Sequence, residues 1–514
     1  MHLRSLTTKP PGYALATILT SLGGFLFGHD TGIIGPATVM AEFTKYVGSS
    51  SPTIHGLIVS SILIPAAVSS FFAGTLADTL GRPRGIAIGS LIFAIGAALE
   101  GASIHIAMFV VGRIIEGIGE GLYLGTLVVY ICEIAPPKHR GPLTTGPQLL
   151  ITLGLVVGFF TCYGTANIPS SLSWRLPFLL LAGYSFAFSA AVYLYLPASP
   201  RWLTLHGKAD EAAAIWDKLD VPAADREKII NQFELGTIQP ASDENPSSST
   251  ISFPDPRPTP ATQTRKPTMK LPEVLSSDSR PRLLMAVFLM GMQQLSGIDG
   301  VLYYAPLLFQ QAGLSSIEST FLASGLSAIV IFAVSIPALV WADSWGRRVN
   351  TIYGGLGMTA TMLLMGGLYA GDAVHADAGP GRWVVIVSIY LFAVLYTVSW
   401  GVGIRIFAAE IQPQKTRASA TNIAHGSNWL TNFLVALVTP TLLAKTSYGA
   451  YFLFGGCTFV TAVACWLFMP ETRGKSLDEI DQAFRESQVS GLKERVTGVL
   501  RRRVKSRMPT TVDA

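Results

Sequence analysis

The sequence predicts an all-α membrane protein with twelve transmembrane helices in two pseudo-symmetric six-helix halves, joined by short cytoplasmic helices. Only 13% of the 514 residues are charged, against roughly 25% in soluble domains, and the mean hydropathy is +0.44. Apolar runs near the ~20 residues that a spanning helix needs recur along the chain. Because backbone groups in lipid must be hydrogen-bonded within the segment, these runs predict helices.

The apolar runs form two sets of six, separated by a long polar segment. The first set covers residues 14–34, 54–77, 84–104, 107–131, 143–164 and 175–197, and the second covers 282–310, 317–341, 349–371, 383–408, 418–443 and 449–469. They predict a cytoplasmic N-terminus (1–12), a six-helix bundle (13–198), cytoplasmic helices with a disordered linker (199–280), a second six-helix bundle (281–470) and a basic cytoplasmic tail (471–514).

The polar segment has two parts. Residues 208–235 have helical periodicity, which predicts two or three short amphipathic helices on the cytoplasmic face. Residues 238–268 are rich in Pro, Ser and Thr and have too little apolar area to fold, so they predict the linker.

Basic residues are distributed by side of the membrane. The loops on one side contain Arg82, Arg84, Lys138, Arg140, Arg347, Arg348, Lys415 and Arg417. The alternate loops hold few Lys or Arg, so the positive-inside rule predicts cytoplasmic termini, and we expect a plasma-membrane location. The net charge of +5 reflects this topology and gives no reason to expect a nucleic-acid partner.

The sequence contains no pattern typical of an enzyme. Neither a nucleophile with a base, a metal-ligand cluster nor a phosphate loop occurs, so we expect no catalytic residue, metal or cofactor. The four cysteines lie singly in apolar runs, as packing residues do. The start of the chain lacks a signal-peptide cleavage pattern, so we expect the first span to be retained.

Two motifs occur once in each half. The first is AGTLADTLGRPR at 73–84 and VWADSWGRR at 340–348, and the second is EIAPPKHR at 133–140 and EIQPQKTR at 410–417. Duplicated halves with motifs at corresponding span ends predict alternating access, in which two bundles rock around a central site.

Seven motifs in a characteristic order carry a resemblance to a known family. They are GTLADTLGR, GRIIEGIGEG, EIAPPKHRG, PASPRWL, QQLSGIDGVLYYAP, ADSWGRR and PETRGKSLDEI. Over residues 13 to 482 the chain resembles the sugar-porter branch of the major facilitator superfamily, with its C-terminal half most similar to fungal members. The resemblance implies the twelve-helix fold, monosaccharide transport across the lipid bilayer and a site between the halves. Pro83 and Ala198 depart from the family pattern, where a basic residue and Glu are usual.

Charged residues at the cytoplasmic span ends predict a latch that holds one conformation until substrate binds. Its members are Asp78, Arg82, Glu133, Arg140, Arg201, Asp343, Arg347, Glu410 and Arg417. The alternative is that these charges only set topology, but topology alone requires no carboxylates.

Sugar hydroxyl groups need amide donors and acceptors and an aromatic face. At positions where relatives bind sugar, the chain has Gln148, Gln293, Gln294, Asn428, Trp429 and Asn432. Amides in a span also serve as contacts between helices. Tyr303 and Tyr304 are expected to line or gate the outer side.

Two departures from the family pattern fall near this expected site. Asp299 stands where Asn is usual and Arg405 where Trp is usual, and we include Asp299 among the substrate-binding candidates. The two side chains would form a pair that leaves the cavity neutral, or Arg405 would extend towards the cytoplasm near Glu410.

Asp30 lies in the middle of the first apolar run, although a carboxylate inside the bilayer costs roughly 2.5 to 3.5 kcal/mol. The resemblance implies that Asp30 carries a proton and that Arg113 on the fourth span is its partner. Glu116 and Glu120 share one helical face with Arg113, and we expect them to neutralise cations of neighbouring helices, with direct proton carriage as the alternative. A permanent bridge between Asp30 and Arg113 is the alternative.

The combined interpretation is a carrier of a neutral monosaccharide, a hexose or a pentose, coupled to protons. The alternatives are a facilitative hexose uniporter, a symporter of a sugar acid such as a uronate, and a sugar sensor that does not transport. A sensor would need a long cytoplasmic tail, and the tail after Pro470 is short and basic.

Overall fold

The computed structural model describes residues 10–47, 51–136, 139–226, 279–314, 316–341, 346–375, 379–413, 417–473 and 479. Every regular element in these ranges is an α-helix. The predicted linker at 238–268, nearly all of the predicted tail, Asp343 and the side chain of Arg417 lie outside the described residues.

The N-terminal half comprises the first nine helices of the described chain. They are α1 (Gly12–Val39), α2 (Ala41–Val47), α3 (Pro52–Ser60), α4 (Leu63–Leu80), α5 (Arg82–Gly101), α6 (Ile106–Ile134), α7 (Arg140–Thr144), α8 (Gly146–Thr165) and α9 (Leu172–Tyr195). Two short helices follow, α10 (Pro200–Leu205) and α11 (Ala209–Lys218). α11 lies within the predicted amphipathic segment, and it buries Ala212 and Trp216 while most of its other residues are exposed.

The C-terminal half also comprises nine helices of the described chain. Its helices are α12 (Arg280–Gln294), α13 (Ile298–Tyr303), α14 (Ala305–Gln311), α15 (Ile317–Trp341), α16 (Arg347–Ala370), α17 (Gly381–Val398), α18 (Trp400–Glu410), α19 (Arg417–Lys445) and α20 (Gly449–Phe468). Each half has a hydrophobic core made mainly of its own residues.

Ten helical segments of the described chain are long and apolar enough to cross a membrane. α1 and α19, with 28 and 29 residues, bring the number to the predicted twelve. Both helices carry polar residues of the expected site, Asp30 on α1 and Asn428 and Asn432 on α19.

Two spans of the C-terminal half are broken. α12 and α13 are separated by a turn at Gly297, whose φ of 85° is in the left-handed region that favours glycine. α17 and α18 are separated at Ser399. In membrane transporters built from two repeats, broken helices expose backbone groups next to polar side chains at the interface between the repeats.

The short helices α10 and α11 lie at one end of the bundle. Asp78, Glu133 and Glu410 lie at the same end, which we name the latch end. Trp202 of α10 donates from Nε1 to the carbonyl oxygen of Asp78 at 2.8 Å. The backbone N–H of Tyr13 donates to the carbonyl oxygen of Leu219, just after α11, at 2.9 Å. The opposite end is named the far end.

Candidate functional site

Asp30 and Arg113 form a buried ion pair inside the N-terminal half. Nη1 of Arg113 donates to Oδ1 of Asp30 at 2.6 Å, and Nη2 donates to the carbonyl oxygen of Val59 at 3.3 Å. The two residues are 3% and 1% exposed. The structure thus brings together the two residues predicted for proton coupling.

Three further carboxyl groups lie near this ion pair. Glu116 Oε2 accepts from Nη1 of Arg113 at 3.2 Å. Glu116 therefore pairs with a cation of its own helix, whereas the sequence analysis expected a cation of a neighbouring helix. Glu100 Oε2 is 3.8 Å from the same nitrogen. Glu120 is fully buried, and neither of its oxygens has a hydrogen-bond partner among the described residues.

Glu100 was missed in the sequence analysis, although it was visible as the only acidic residue in its apolar run. Oxygens of Asp30, Glu100 and Glu116 lie within 4.8 Å of one another, a spacing that suits a metal ion. The guanidinium group of Arg113 already supplies positive charge at this position.

Three of the predicted sugar-binding amides form one network between α12 and α19. Gln293 donates to the carbonyl oxygen of Trp400 at 2.7 Å, while its Oε1 accepts from Asn428 at 3.2 Å. Gln294 donates to Oδ1 of Asn428 at 3.1 Å. Asn428 also donates to the carbonyl oxygen of Met290 at 2.8 Å. The amide orientations are therefore fixed before any substrate arrives.

Two oxygens of the amide set are free to accept hydrogen bonds. Gln294 Oε1 and Asn432 Oδ1 are buried without a donor in the described part of the chain. Asn432 also lies within hydrogen-bonding reach of Tyr303. The indole ring of Trp429 contacts the ring of Phe27 edge-on, at 6.3 Å between centroids, so the set adjoins α1 of the other half.

Gln148 of α8 meets Arg405 of α18 across the interface between the halves. Nη1 of Arg405 donates to Oε1 of Gln148 at 3.2 Å, and the arginine side chain remains exposed. Arg405 therefore points into the interface and does not extend towards Glu410. Asp299 lies near enough for the charge of Arg405 to attract its carboxyl group, and it also lies close to Gln294.

The latch residues of the N-terminal half cluster around Arg82. Its side chain lies 2.9 Å from Asp78 and 3.0 Å from Glu133, and Arg201 of α10 is 3.9 Å from Glu133. Arg140 occupies the first position of α7.

The latch residues of the C-terminal half include one that the sequence analysis did not single out. Arg347 lies 3.4 Å from Glu410. Glu471, from the PETRG motif, accepts from the backbone N–H groups of Arg347 and Arg348 at 2.8 and 3.1 Å. Thr472 donates to Glu410 at 2.7 Å. The ion pairs of the described latch residues join helix ends of the N-terminal half to one another and to α10, and helix ends of the C-terminal half to one another.

The two halves contact each other closely at the far end. A Cβ atom on Gly35 would overlap the carbonyl oxygen of Tyr303, and one on Gly56 would overlap that of Leu437. The hydroxyl groups of Thr53 and Thr441 lie 3.2 Å apart. With the far end closed and Arg405 exposed, the site is reached from the latch end.

Comparisons with known proteins agree with this architecture. The family model described as "Sugar (and other) transporter" matches residues 16–484. The low-affinity glucose transporter HXT1 of Saccharomyces cerevisiae is 28% identical over 489 residues, which are 92% of this chain and 82% of that protein. The glucose transporter GlcP of Staphylococcus epidermidis is 30% identical over 475 residues, 92% of this chain and 97% of that protein.

Among solved structures, the partially occluded inward-open xylose transporter XylE from E. coli shares the fold, with a TM-score of 0.71 at 24% identity. That match covers 90% of this chain and 99% of the other. The predicted all-α, twelve-helix fold class and the predicted family are thereby confirmed. The chain belongs to the sugar transporter family of the major facilitator superfamily, and it is a multi-pass membrane transporter rather than an enzyme.

Proposed function

We propose that the protein transports a neutral monosaccharide, a hexose or a pentose, across the plasma membrane by alternating access, in symport with protons. The observation that carries this proposal is the buried ion pair between Asp30 and Arg113, in which Oδ1 and Nη1 are 2.6 Å apart. The pair lies in the N-terminal half, which faces the amide network of the other half. Relatives named as glucose transporters and a structure named as a proton:xylose symporter support it.

Sugar recognition uses amide groups from both halves. Gln294 and Asn432 offer buried acceptor oxygens, while Gln293 and Asn428 hold the network in place. Gln148 and Asp299 contribute further polar atoms, and Trp429 offers an aromatic face. A ligand that lacks hydroxyl groups leaves such buried acceptors unpaired and is rejected, which gives selectivity for polyhydroxylated rings.

The charge at the interface favours a neutral sugar. Arg405 is the cation that an anionic substrate would use, but it is bonded to Gln148 and attracted by Asp299. The negative charge of Asp299 balances it, so a carboxylate substrate gains little. A sugar acid is the second candidate, since its carboxylate would compete with Gln148 for the exposed guanidinium group.

Proton coupling follows from two opposed effects on Asp30. Removal from water favours its neutral, protonated form, while the guanidinium group of Arg113 favours its charged form. When the halves rock and α1 shifts against α6, the contact between Asp30 and Arg113 weakens and a proton binds. Re-formation of the contact releases that proton on the latch side, which is cytoplasmic by the positive-inside rule.

The latch clusters tie helix ends together within each half. Asp78, Arg82, Glu133 and Arg201 act in one half, with Arg347, Glu410 and Glu471 in the other. Because these pairs join helix ends that lie next to each other, they hold the latch end of each half together while α1 remains free to shift against α6. Arg140, Asp343 and Arg417 complete the proposed set.

Uptake into vesicles tests the proposal. Purified protein in liposomes is given labelled glucose, fructose, xylose and galacturonate under an inward proton gradient, with protein-free liposomes as control. We expect a neutral sugar to accumulate above equilibrium and a protonophore to abolish that accumulation. Uptake that never exceeds equilibrium would make the protein a facilitator, and a preference for galacturonate would make the sugar acid the substrate.

A further inference from the structure

The ion pair between Asp30 and Arg113 is surrounded by more carboxyl groups than the single cation of Arg113 can balance. Asp30, Glu100, Glu116 and Glu120 are between 0 and 3% exposed, and Arg113 is 1% exposed. No other Lys or Arg in the described chain forms an ion pair with any of the four. Since isolated buried charges are strongly unfavourable, most of these carboxyl groups hold protons at any one time.

One nitrogen atom of Arg113 serves two carboxylates. Nη1 lies 2.6 Å from Asp30 Oδ1 and 3.2 Å from Glu116 Oε2. Asp30 belongs to α1, whereas Glu116 stands three residues after Arg113 on α6, where the two side chains are neighbours on one face. A shift of α1 therefore separates Arg113 from Asp30 but leaves Glu116 in contact.

We propose that Glu116 is a second counter-ion of Arg113, which keeps the guanidinium group paired when Asp30 is protonated. The inference deepens the proposed proton coupling and rests on it. Asp30 gains a proton from water and becomes neutral, Glu116 stays ionised, and Arg113 never becomes an unpaired buried cation. Without Glu116, protonation of Asp30 would leave Arg113 with only the distant Glu100, so Asp30 would bind a proton much less readily.

The other titratable groups around the pair do not replace Glu116. Glu100 of α5 is 3.8 Å from Nη1, too far for a hydrogen bond to Arg113, and neither of its oxygens has a hydrogen-bond partner among the described residues. Glu120 and Tyr123 of α6 are buried, and neither side chain has a hydrogen-bond partner among the described residues. His29 of α1 has no partner there for either ring nitrogen. Tyr184, Tyr303 and Tyr304, from α9, α13 and the turn after it, are neutral phenols.

Glu116→Gln tests the inference because glutamine keeps the shape and removes the charge. We expect the proton concentration for half-maximal sugar uptake to rise about tenfold or more, with KM for sugar unchanged at saturating protons. Glu116→Asp retains the charge and should lie between wild type and Glu116→Gln. Glu42→Gln is the matched control, because Glu42 lies on α2 and pairs only with the exposed Lys45. A wild-type pH profile in Glu116→Gln would overturn the inference.

A thermal-stability cycle tests the shared counter-ion independently of transport. Asp30→Asn and Glu116→Gln each leave Arg113 one carboxylate within 3.2 Å, whereas the double variant removes both and leaves only the distant Glu100. The loss of Tm in the double variant should exceed the sum of the single losses. Additive losses would refute the shared counter-ion. If wild type shows no proton dependence, the proposed symport fails, while this cycle still decides whether Glu116 and Asp30 share Arg113.

Discussion

At the scale of single residues, each of several polar side chains in the spans is held by a specific partner. Arg113 contacts Asp30 and Glu116, Gln293 contacts Trp400, and Arg405 contacts Gln148. In a bilayer such groups cannot turn to water, so each partner fixes an orientation as well as a charge. Single substitutions at these positions should therefore alter one step of transport while the fold is retained.

Asp30→Asn should uncouple sugar movement from protons. Asparagine has a similar shape but cannot exchange a proton, and Glu116 still neutralises Arg113. We expect accumulation against a gradient to be lost while exchange of labelled for unlabelled sugar persists. Uptake and counterflow in the same vesicles measure the two activities. Asp210→Asn, an exposed position on α11, is the control, and full accumulation by Asp30→Asn would contradict the assigned role.

Gln148→Ala should weaken sugar binding. The change removes an amide from the interface and frees Arg405, leaving sugar hydroxyl groups unpaired at roughly 1 to 3 kcal/mol. We expect KM to rise about fivefold or more at a normal amount of protein in the membrane. Gln311→Ala, outside the amide network, provides a matched comparison. An unchanged KM would mean that Gln148 only links helices.

Helix contacts at the element scale depend on small residues and on breaks. Gly35 lets α1 approach the end of α13, and Gly56 lets α3 approach α19. The break at Gly297 separates α12 from α13, next to the amide network. Such close contacts bring opposite halves together at the far end only when no side chain intervenes.

Gly35→Val should prevent closure of the far end. The added side chain would overlap the backbone of Tyr303, so the closed state becomes costly while the open state is unaffected. We expect transport to fall strongly and a cysteine introduced at Thr53 to react faster with a membrane-impermeant thiol reagent. Gly74→Val is the control, because a Cβ there meets no atom within 4 Å. Wild-type transport in Gly35→Val would show that this contact is dispensable.

In the proposed transport cycle, the arrangement of the whole molecule corresponds to one stage of alternating access. The halves meet at the far end, while the described latch pairs remain within their own halves. A carrier must also adopt the opposite state, because a site open to one side alone cannot complete a cycle.

A disulfide across the far end should arrest transport. Thr53 of α3 and Thr441 of α19 have hydroxyl groups 3.2 Å apart, so cysteines at both positions are expected to join on oxidation. We expect uptake to stop in the oxidised double variant and to return with a reductant. Thr53→Cys alone should transport normally under both conditions. Continued transport with the disulfide formed would argue against movement at this end.

Several features of the protein were accessible from the sequence. Hydropathy predicted the spans because a segment's preference for lipid depends on its own side chains, and seven motifs in a characteristic order identified the family. Asp30 was recognisable because a carboxylate in an apolar run is costly wherever that run packs.

Only the tertiary structure decided which polar groups meet. Arg405 reaches Gln148 of the other half rather than the latch end, and Glu100 joins Arg113. Glu471 meets the start of α16 more than a hundred residues earlier in the chain. The local periodicity of the sequence indicates which face of a helix carries a residue. The partner of that residue depends on how helices distant in the chain pack together, and this packing is set by the summed contacts of both halves.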